Sequence, residues 1–468
     1  MKALLALASG LLVASASASA SASPSGAAPA PERYQWSRSL AVDFLSPGIG
    51  ALGGTEARSL VAFDGKLFAG IGYWRDTQAA DPALPGAQVI ALDAPNAPWR
   101  VDLQLDDVVP SGPQAGLKRF QAIGSLAAFE AHRDASGHAL ARPVPFLFAS
   151  VWDRVGGLRL FVRGAGAKAT WSFVDLATDV PRASQIRSFG THVDAVTKRE
   201  LFFAGTSPGG VYAGTYDGGA TFVHWDAKPE VWDDDQPGVQ RRIMAFAECN
   251  GKLYASSGFE LFERQDGTAP SWKRIYAYEN PSPNPHISGF RGLHAIPAAA
   301  GGEQLLIAVE NNPLVIVRVD PRQVAAGKRA TVDLDVSAFL SRAWNTRVTY
   351  GIAAYNDMVP VRLPGASCDS LLLGIEATTP SDPSGAGKNR KHAAAQYLVR
   401  RCDGHYELAS IDDPGHPDLP LVSTRTIARS PFSADPAGTL YAGGLDAGNL
   451  IVHNTAWIYR GVRARPSR

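Results

Sequence analysis

Arginine keeps returning at one place in a repeated phrase. The stretch "RSLVAFDGKLFAG" (58–70) comes back as "RRIMAFAECNGKLYAS" (241–256), and its second half as "AGTLYAGG" (437–444). Seven copies of the first half align on one central residue each: Leu60, Leu126, Phe189, Ile243, Leu293, Ile352 and Ile427. Two positions earlier the column reads Arg58, Gly124, Arg187, Arg241, Arg291, Tyr350 and Arg425. A guanidinium keeps its charge and grips carboxylate, sulfate or phosphate through two parallel bonds, each worth about 1.5–3 kcal/mol. Five of them around one point would form an anion funnel.

The same arginines can instead be neutralised from within. The loops before these strands carry Asp106, Asp107, Asp179, Asp233, Asp234, Asp235, Glu279, Asp412 and Asp413. Positive charges closer than a Debye length, about 8 Å at physiological salt, repel unless acids or a ligand balance them. The sequence leaves open full pairing, a ligand site, and a mixture of the two.

Three further residues are expected near the arginines: Tyr350, His286 in "NPHISG" and His416 in "DPGHPD". Beside a carboxylate that arginines neutralise, such a side chain can abstract the neighbouring proton, which is the step a uronate lyase needs. A loop histidine in isolation is ordinarily just solvated. "WDDDQ" (232–236) offers oxygen ligands to calcium but has neither the glycine nor the distal glutamate of an EF-hand loop, so no cofactor is expected beyond that possible calcium. No H-E-x-x-H, G-x-x-x-x-G-K-[ST] or paired-cysteine metal motif occurs.

These residues sit in a strand-based repeat. Each unit has an apolar first strand, a turn and a second strand of the type L-[FY]-A-[GS]. The second strands begin at Leu67, Leu147, Phe202, Leu253, Leu306, Leu372 and Leu440. Two more strand-like runs follow, as in "QVIALD" then "WRVDLQL", or "LVIVRVD" then "TVDLDVS". Four short strands per unit, repeated seven times, predict an all-β fold, a seven-bladed β-propeller. The seventh unit ends at "AWIYRG" and lacks a fourth strand; "YQWSRSL" (34–40) is expected to supply it, closing the ring and removing an exposed edge.

The units resemble those of kelch-type and Asp-box propellers. "ALDAPNAPWRVDL" (91–103) is similar to the kelch ending in which tryptophan follows a short turn, and "TYDGGATF" (215–222) resembles the Asp-box. The resemblance implies the propeller fold and carries no activity. Sialidases also gather arginines on an Asp-box propeller, but they have six blades and several regular boxes, so their activity is not carried over.

The start of the chain reads as a secretory signal peptide over 1–22, with one lysine, a short apolar run and A-x-A sites. A flexible Ser, Pro and Ala leader is expected over 23–33, the propeller over 34–462 and a tail over 463–468. An exported protein, secreted or periplasmic, follows. No later run is apolar enough to span a bilayer. With 45 Lys plus Arg against 44 Asp plus Glu, no general attraction to nucleic acid is implied. Cys368 and Cys402 flank two apolar runs that can pair antiparallel, so a disulfide is expected between them and Cys249 is left as an unreactive thiol. The functional expectation is a binding module for an anionic ligand, an acidic glycan first. The alternatives are a polysaccharide lyase acting on a uronate polymer and a protein-interaction scaffold whose arginines pair internally.

Overall fold

The computed structural model describes residues 34–40, 54–73, 86–108, 119–180, 184–233, 241–281, 288–324, 330–355, 357–363, 366–380, 389–391, 395–415, 421, 423–445 and 456–464. The expected signal peptide and leader lie outside them.

Hairpin chemistry fixes the repeated phrase. In "FDGK" and "CNGK" both central residues have positive φ, 51° and 70° at Asp64 and Gly65, 52° and 72° at Asn250 and Gly251. That is the backbone of a two-residue type I′ turn, whose twist suits antiparallel strands. Phe63 accordingly pairs with Lys66 and Cys249 with Lys252.

Apart from Val231–Trp232, which runs parallel to Ser271–Ala277, the strands pair in antiparallel ladders. Glu56–Phe63, Lys66–Gly72, Gln88–Leu92 and Arg100–Gln104 form the first, and Phe120–Arg133, Ala139–Asp153, Leu158–Gly164 and Trp171–Ala177 the second. Gln185–Val193, Glu200–Ser207, Val211–Tyr216 and Val223–Trp225 make the third. Ile243–Cys249, Lys252–Ser257, Glu260–Gln265 and Ser271–Ala277 make the fourth. The fifth holds Gly289–Pro297, Glu303–Glu310, Val315–Val319 and Thr331–Asp335. In the sixth, Tyr350–Ala353 and Val359–Val361 share the partner Ser370–Pro380, followed by Gln396–Arg400 and Tyr406–Ser410. Ser423–Arg429, Leu440–Leu445 and Ile458–Arg463 make the last ladder, and Tyr34–Leu40 lies antiparallel against Ile458–Arg463 with Tyr34 opposite Arg463. Single pairs, Glu56 with Leu445 and Gly72 with Ala122, join the last, first and second ladders into one 12-stranded sheet, and no sheet closes on itself among the described residues.

The first strands are each other's neighbours. That of the first ladder touches those of the second and the last, and contact passes from the second through the third, fourth and fifth to the sixth; Ser370–Pro380 of the sixth touches Ser423–Arg429. The close approach explains the small residue that ends L-[FY]-A-[GS]. A Cβ on Gly70 would lie 2.5 Å from Ile123, and one on Gly205 2.6 Å from Ile243, both on the following first strand. Where serine takes the place, Ser150 donates instead to the Ile186 carbonyl of the next ladder at 2.9 Å.

Farther out, an arginine of a third strand pins its ladder to the preceding one. Arg163 bonds Asp102 at 3.0 Å, and the same carboxylate accepts from the Trp171 indole. Arg264 bonds Glu230, which accepts from Trp272; Arg400 bonds Asp333, which accepts from the Tyr406 hydroxyl. The tryptophans and alternating acids of the fourth-strand runs are thus halves of these contacts. Between ladders the core is apolar, with Phe146, Phe148 and Phe202 fully buried, while Trp36 brings the N-terminal strand into a cluster with Leu421, Leu440 and Tyr459. Cys368 and Cys402 are joined by a disulfide with Cα atoms 5.7 Å apart.

Candidate functional site

The arginines stand on β-bulges. In the first strands the register slips between Ala57 and Ser59, Ile123 and Leu126, Ile186 and Ser188, Ile243 and Ala245, Phe290 and Leu293, and Thr424 and Thr426. A bulge inserts an extra residue and re-aims its side chain. The residues so placed are Arg58, Gly124 with Ser125, Arg187, Met244, Arg291 with Gly292, and Arg425. In the sixth ladder pairing stops after Ala353 and resumes at Val359, with Tyr355 between.

Two members of the sequence column therefore change. Met244, not Arg241, occupies the fourth bulge, because the central residue there is Phe246 rather than Ile243. Arg241 is buried with its guanidinium 4.3 Å from the Trp232 ring and 4.9 Å from Phe262. Tyr355 likewise takes the sixth position in place of Tyr350. The Tyr350 hydroxyl donates to Glu310, and burial together with the Glu310 charge pushes its pKa up, so this phenol keeps its proton.

Tyr355 is the centre of a charged cluster. Arg58 donates to its hydroxyl at 2.9 Å, and the guanidiniums of Arg425, Arg291 and Arg58 lie 4.3, 5.0 and 5.5 Å from its ring centroid. Carboxylates stand behind them on the strands themselves. Glu310 pairs with Arg291, and Glu376 lies 2.7 Å from Arg425. Glu56 approaches Arg425 to 2.9 Å but neither of its oxygens gains an aligned hydrogen bond. All three acids are buried. Burial alone would raise the Tyr355 pKa; Arg58 and Arg425, assisted by Arg291, overcome it and hold the phenol at about 7.

Arg187 is different. Half-buried, it has no carboxylate partner among the described residues, and its Nε, shut off from solvent, has no hydrogen-bond partner. Burial, then repulsion from Arg58, Arg242 and Arg291, works against its charge, with Tyr355 acting the other way. Arg242, the neighbour of the arginine chosen from sequence, belongs to this field too: burial and Arg291 lower its pKa to about 10.

Arg187 borders a cavity of about 250 Å³ among the first strands of the second to fifth ladders. Ser125, Phe189, Phe246, His294 and Asp357 also line it. Gly124 leaves the second bulge bare of a side chain, since a Cβ there would meet Ser150 Oγ at 2.5 Å. Asp357 is open to the cavity, yet the surrounding protein displaces bulk water and raises its carboxyl pKa; burial lowers that of His294. The site thus combines a guanidinium, a carboxyl and an imidazole held toward its neutral form, between aromatic walls.

His286, His416, Asp234 and Asp235 lie outside the described residues. Among the described residues no group of three or more His, Cys, Asp or Glu side chains is placed to hold a metal, and no helix is long and apolar enough to cross a membrane. Cys249 is buried, its thiol pushed up to about 12 by burial and Glu303. His294, Asp357, Tyr355, Arg242 and the three glutamates were not singled out by sequence. Glu310 and Glu376 had a signal, each being an acid at the edge of an apolar run, "LLIAVE" and "LLLGIE".

No protein-family profile and no curated protein matches the chain. Among solved structures it is similar to Raptor of Chaetomium thermophilum, with 11% identity and a TM-score of 0.45, over 93% of this chain and 29% of that one. It is similar to the Cps50 (Swd1) β-propeller domain of Myceliophteria thermophila, at 12% identity and TM-score 0.42 over 88% and 97% of the two chains. A third similarity is to an ancestral GH74 enzyme, at 12% identity and TM-score 0.45 over 89% of this chain and 48% of that one. The chain thus spans under a third of Raptor and about half of the GH74 enzyme.

Proposed function

We propose that the chain is an exported seven-bladed β-propeller, four strands to a blade with Tyr34–Leu40 completing the last, that binds an anionic ligand in the cavity among its first strands. The ligand class is an acidic glycan. The observation that carries this reading is Arg187, a guanidinium bordering a cavity with no carboxylate partner among the described residues. A scaffold with internally paired arginines accounts for Arg291 and Arg425 but leaves Arg187 unexplained. A bound carboxylate or sulfate would supply the missing charge through two parallel bonds.

The test is retention of the protein on acidic and neutral polysaccharides over a range of salt. Salt-sensitive retention on an acidic polymer, lost in Arg187→Met while the cooperative melt persists, is the expected result. Retention unchanged by Arg187→Met would refute the reading.

His294 supports a second reading, polysaccharide lyase. An imidazole kept toward neutrality in the cavity that Arg187 borders is a base placed near a carboxylate-neutralising cation. Growth of the ultraviolet absorbance of an unsaturated uronate on one acidic polymer would establish it, and its absence across the panel would leave binding alone.

A further inference from the structure

We infer that this cavity takes a single sugar acid, either a free uronate or the terminal residue of a chain entering end-on, and not a stretch of polymer lying across it. The inference rests on the anion-binding reading and narrows its ligand.

Size comes first. The cavity, about 250 Å³, is smaller than the roughly 300–1,000 Å³ typical of sites for drug-sized ligands. A disaccharide is already of that size class, so one ring is the natural occupant. Charge gives an independent reason. Arg187 can take one carboxylate, and no second arginine or lysine lines the cavity to balance another. A polyuronate threaded through the site would bring a carboxylate on every ring, and Arg187 could meet only one of them. A single uronate can instead offer Asp357 its hydroxyls, which donate to a carboxylate or exchange bonds with a carboxylic acid.

The walls suit a sugar ring. Phe189 and Phe246 come from adjacent first strands and border the same space as Arg187, Asp357 and His294. Phe246 is fixed because it packs over Gly190, where a Cβ would sit 2.8 Å from the Phe246 Cβ. A pyranose has apolar C–H faces for such rings and an equatorial belt of hydroxyls for the polar groups. Arg187, with no second arginine or lysine beside it, then selects a monoanion over a dianion, and Asp357 adds to that selection where it ionises.

Calorimetric titration tests this with D-galacturonate, D-galactose, the dianion galactarate and galacturonate oligomers of increasing length. The expected result is binding of galacturonate, at least tenfold weaker binding of galactose and galactarate, and one protein bound per oligomer whatever its length. Asp357→Asn should narrow the gap between galactarate and galacturonate, an effect that a merely structural role would not produce. Arg187→Met should abolish binding of both while the melt is retained. If galacturonate fails to bind while longer oligomers take up protein in proportion to their length, the end-on site is wrong and the anion-binding reading stands. If no acidic probe binds, oligomers and polymers included, that reading itself falls.

Discussion

Replacing Tyr355 by phenylalanine isolates the charge balance among Arg58, Arg291 and Arg425. The phenol's ordinary pKa of 10.0 is held at about 7 by guanidiniums that outweigh its burial. A group whose folded pKa is depressed contributes stability that is complete above its unfolded pKa and is lost as pH falls through the folded one. Here that window runs from about pH 10 down to about pH 7. Three decades at about 1.36 kcal/mol each come to about 4 kcal/mol as an upper figure. Denaturant unfolding of wild type and Tyr355→Phe should therefore show a stability difference that grows in favour of wild type by up to this amount between pH 7 and pH 10. The lost hydrogen bond from Arg58 shifts the whole comparison by a constant, so the slope is the readout. A difference titration of near-ultraviolet absorbance should show one phenol ionising near neutrality in wild type and missing in the variant. Parallel stability curves, with that phenol ionising at 10 or above, would refute the reasoning and mean that the carboxylates of Glu56, Glu310 and Glu376 already balance the arginines.

Arg264 lies buried against Glu230, Asp194 and Asp266, so Arg264→Met strands acids without their cation and should cost about 3–5 kcal/mol in denaturant melts; a loss under 1 kcal/mol would mean that water reaches them. Gly205→Ala forces a methyl against Ile243 on the next first strand and should destabilise by about 1–3 kcal/mol, whereas an unchanged melt would show that the strands can part. Burial alone would lower the His192 pKa, but Glu248 and Asp266 prevail and raise it. Its contribution is thus complete below the ordinary value of 6.5 and is lost as pH rises through the raised one. The stability gap between wild type and His192→Gln should shrink on going alkaline, and a gap that widens would count against the ion pair.

What could be read from sequence, and what could not, follows from how each feature is encoded. The L-[FY]-A-[GS] repeat was legible because at Gly70, Ser150 and Gly205 its last position faces the next strand at a distance that admits only a hydrogen or a small hydroxyl, so there the constraint is written in residue type. The I′ turns at Asp64–Gly65 and Asn250–Gly251 were legible for the same reason. A bulge, by contrast, adds a residue without any mandatory side chain. Aligning "RRIMAF" on Ile243 therefore missed by three residues and selected Arg241, which stacks on Trp232, over Met244 at the bulge itself and Arg242 in the charged field. The insertion around Tyr355 hid that phenol behind Tyr350 in the same way. Loop acids were the natural partners to expect for the arginines. Those found at Arg291 and Arg425 are Glu310, Glu376 and Glu56, which ride on strands and reach the cluster only through pairing that sequence spacing does not reveal.

The antiparallel match of Tyr34 with Arg463 bears on the order in which the strands can pair. Every other ladder takes its strands from one continuous stretch and can assemble as soon as that stretch is free to fold. The last one cannot: its outer strand is made among the first and must wait, unpaired, until Ile458–Arg463 has emerged. Loop-closure entropy grows only slowly with length, so the delay is chiefly one of time and carries little extra thermodynamic penalty. During that interval Trp36 and Leu40, both buried once the strand docks, have no apolar cover, and the docking step is what supplies it.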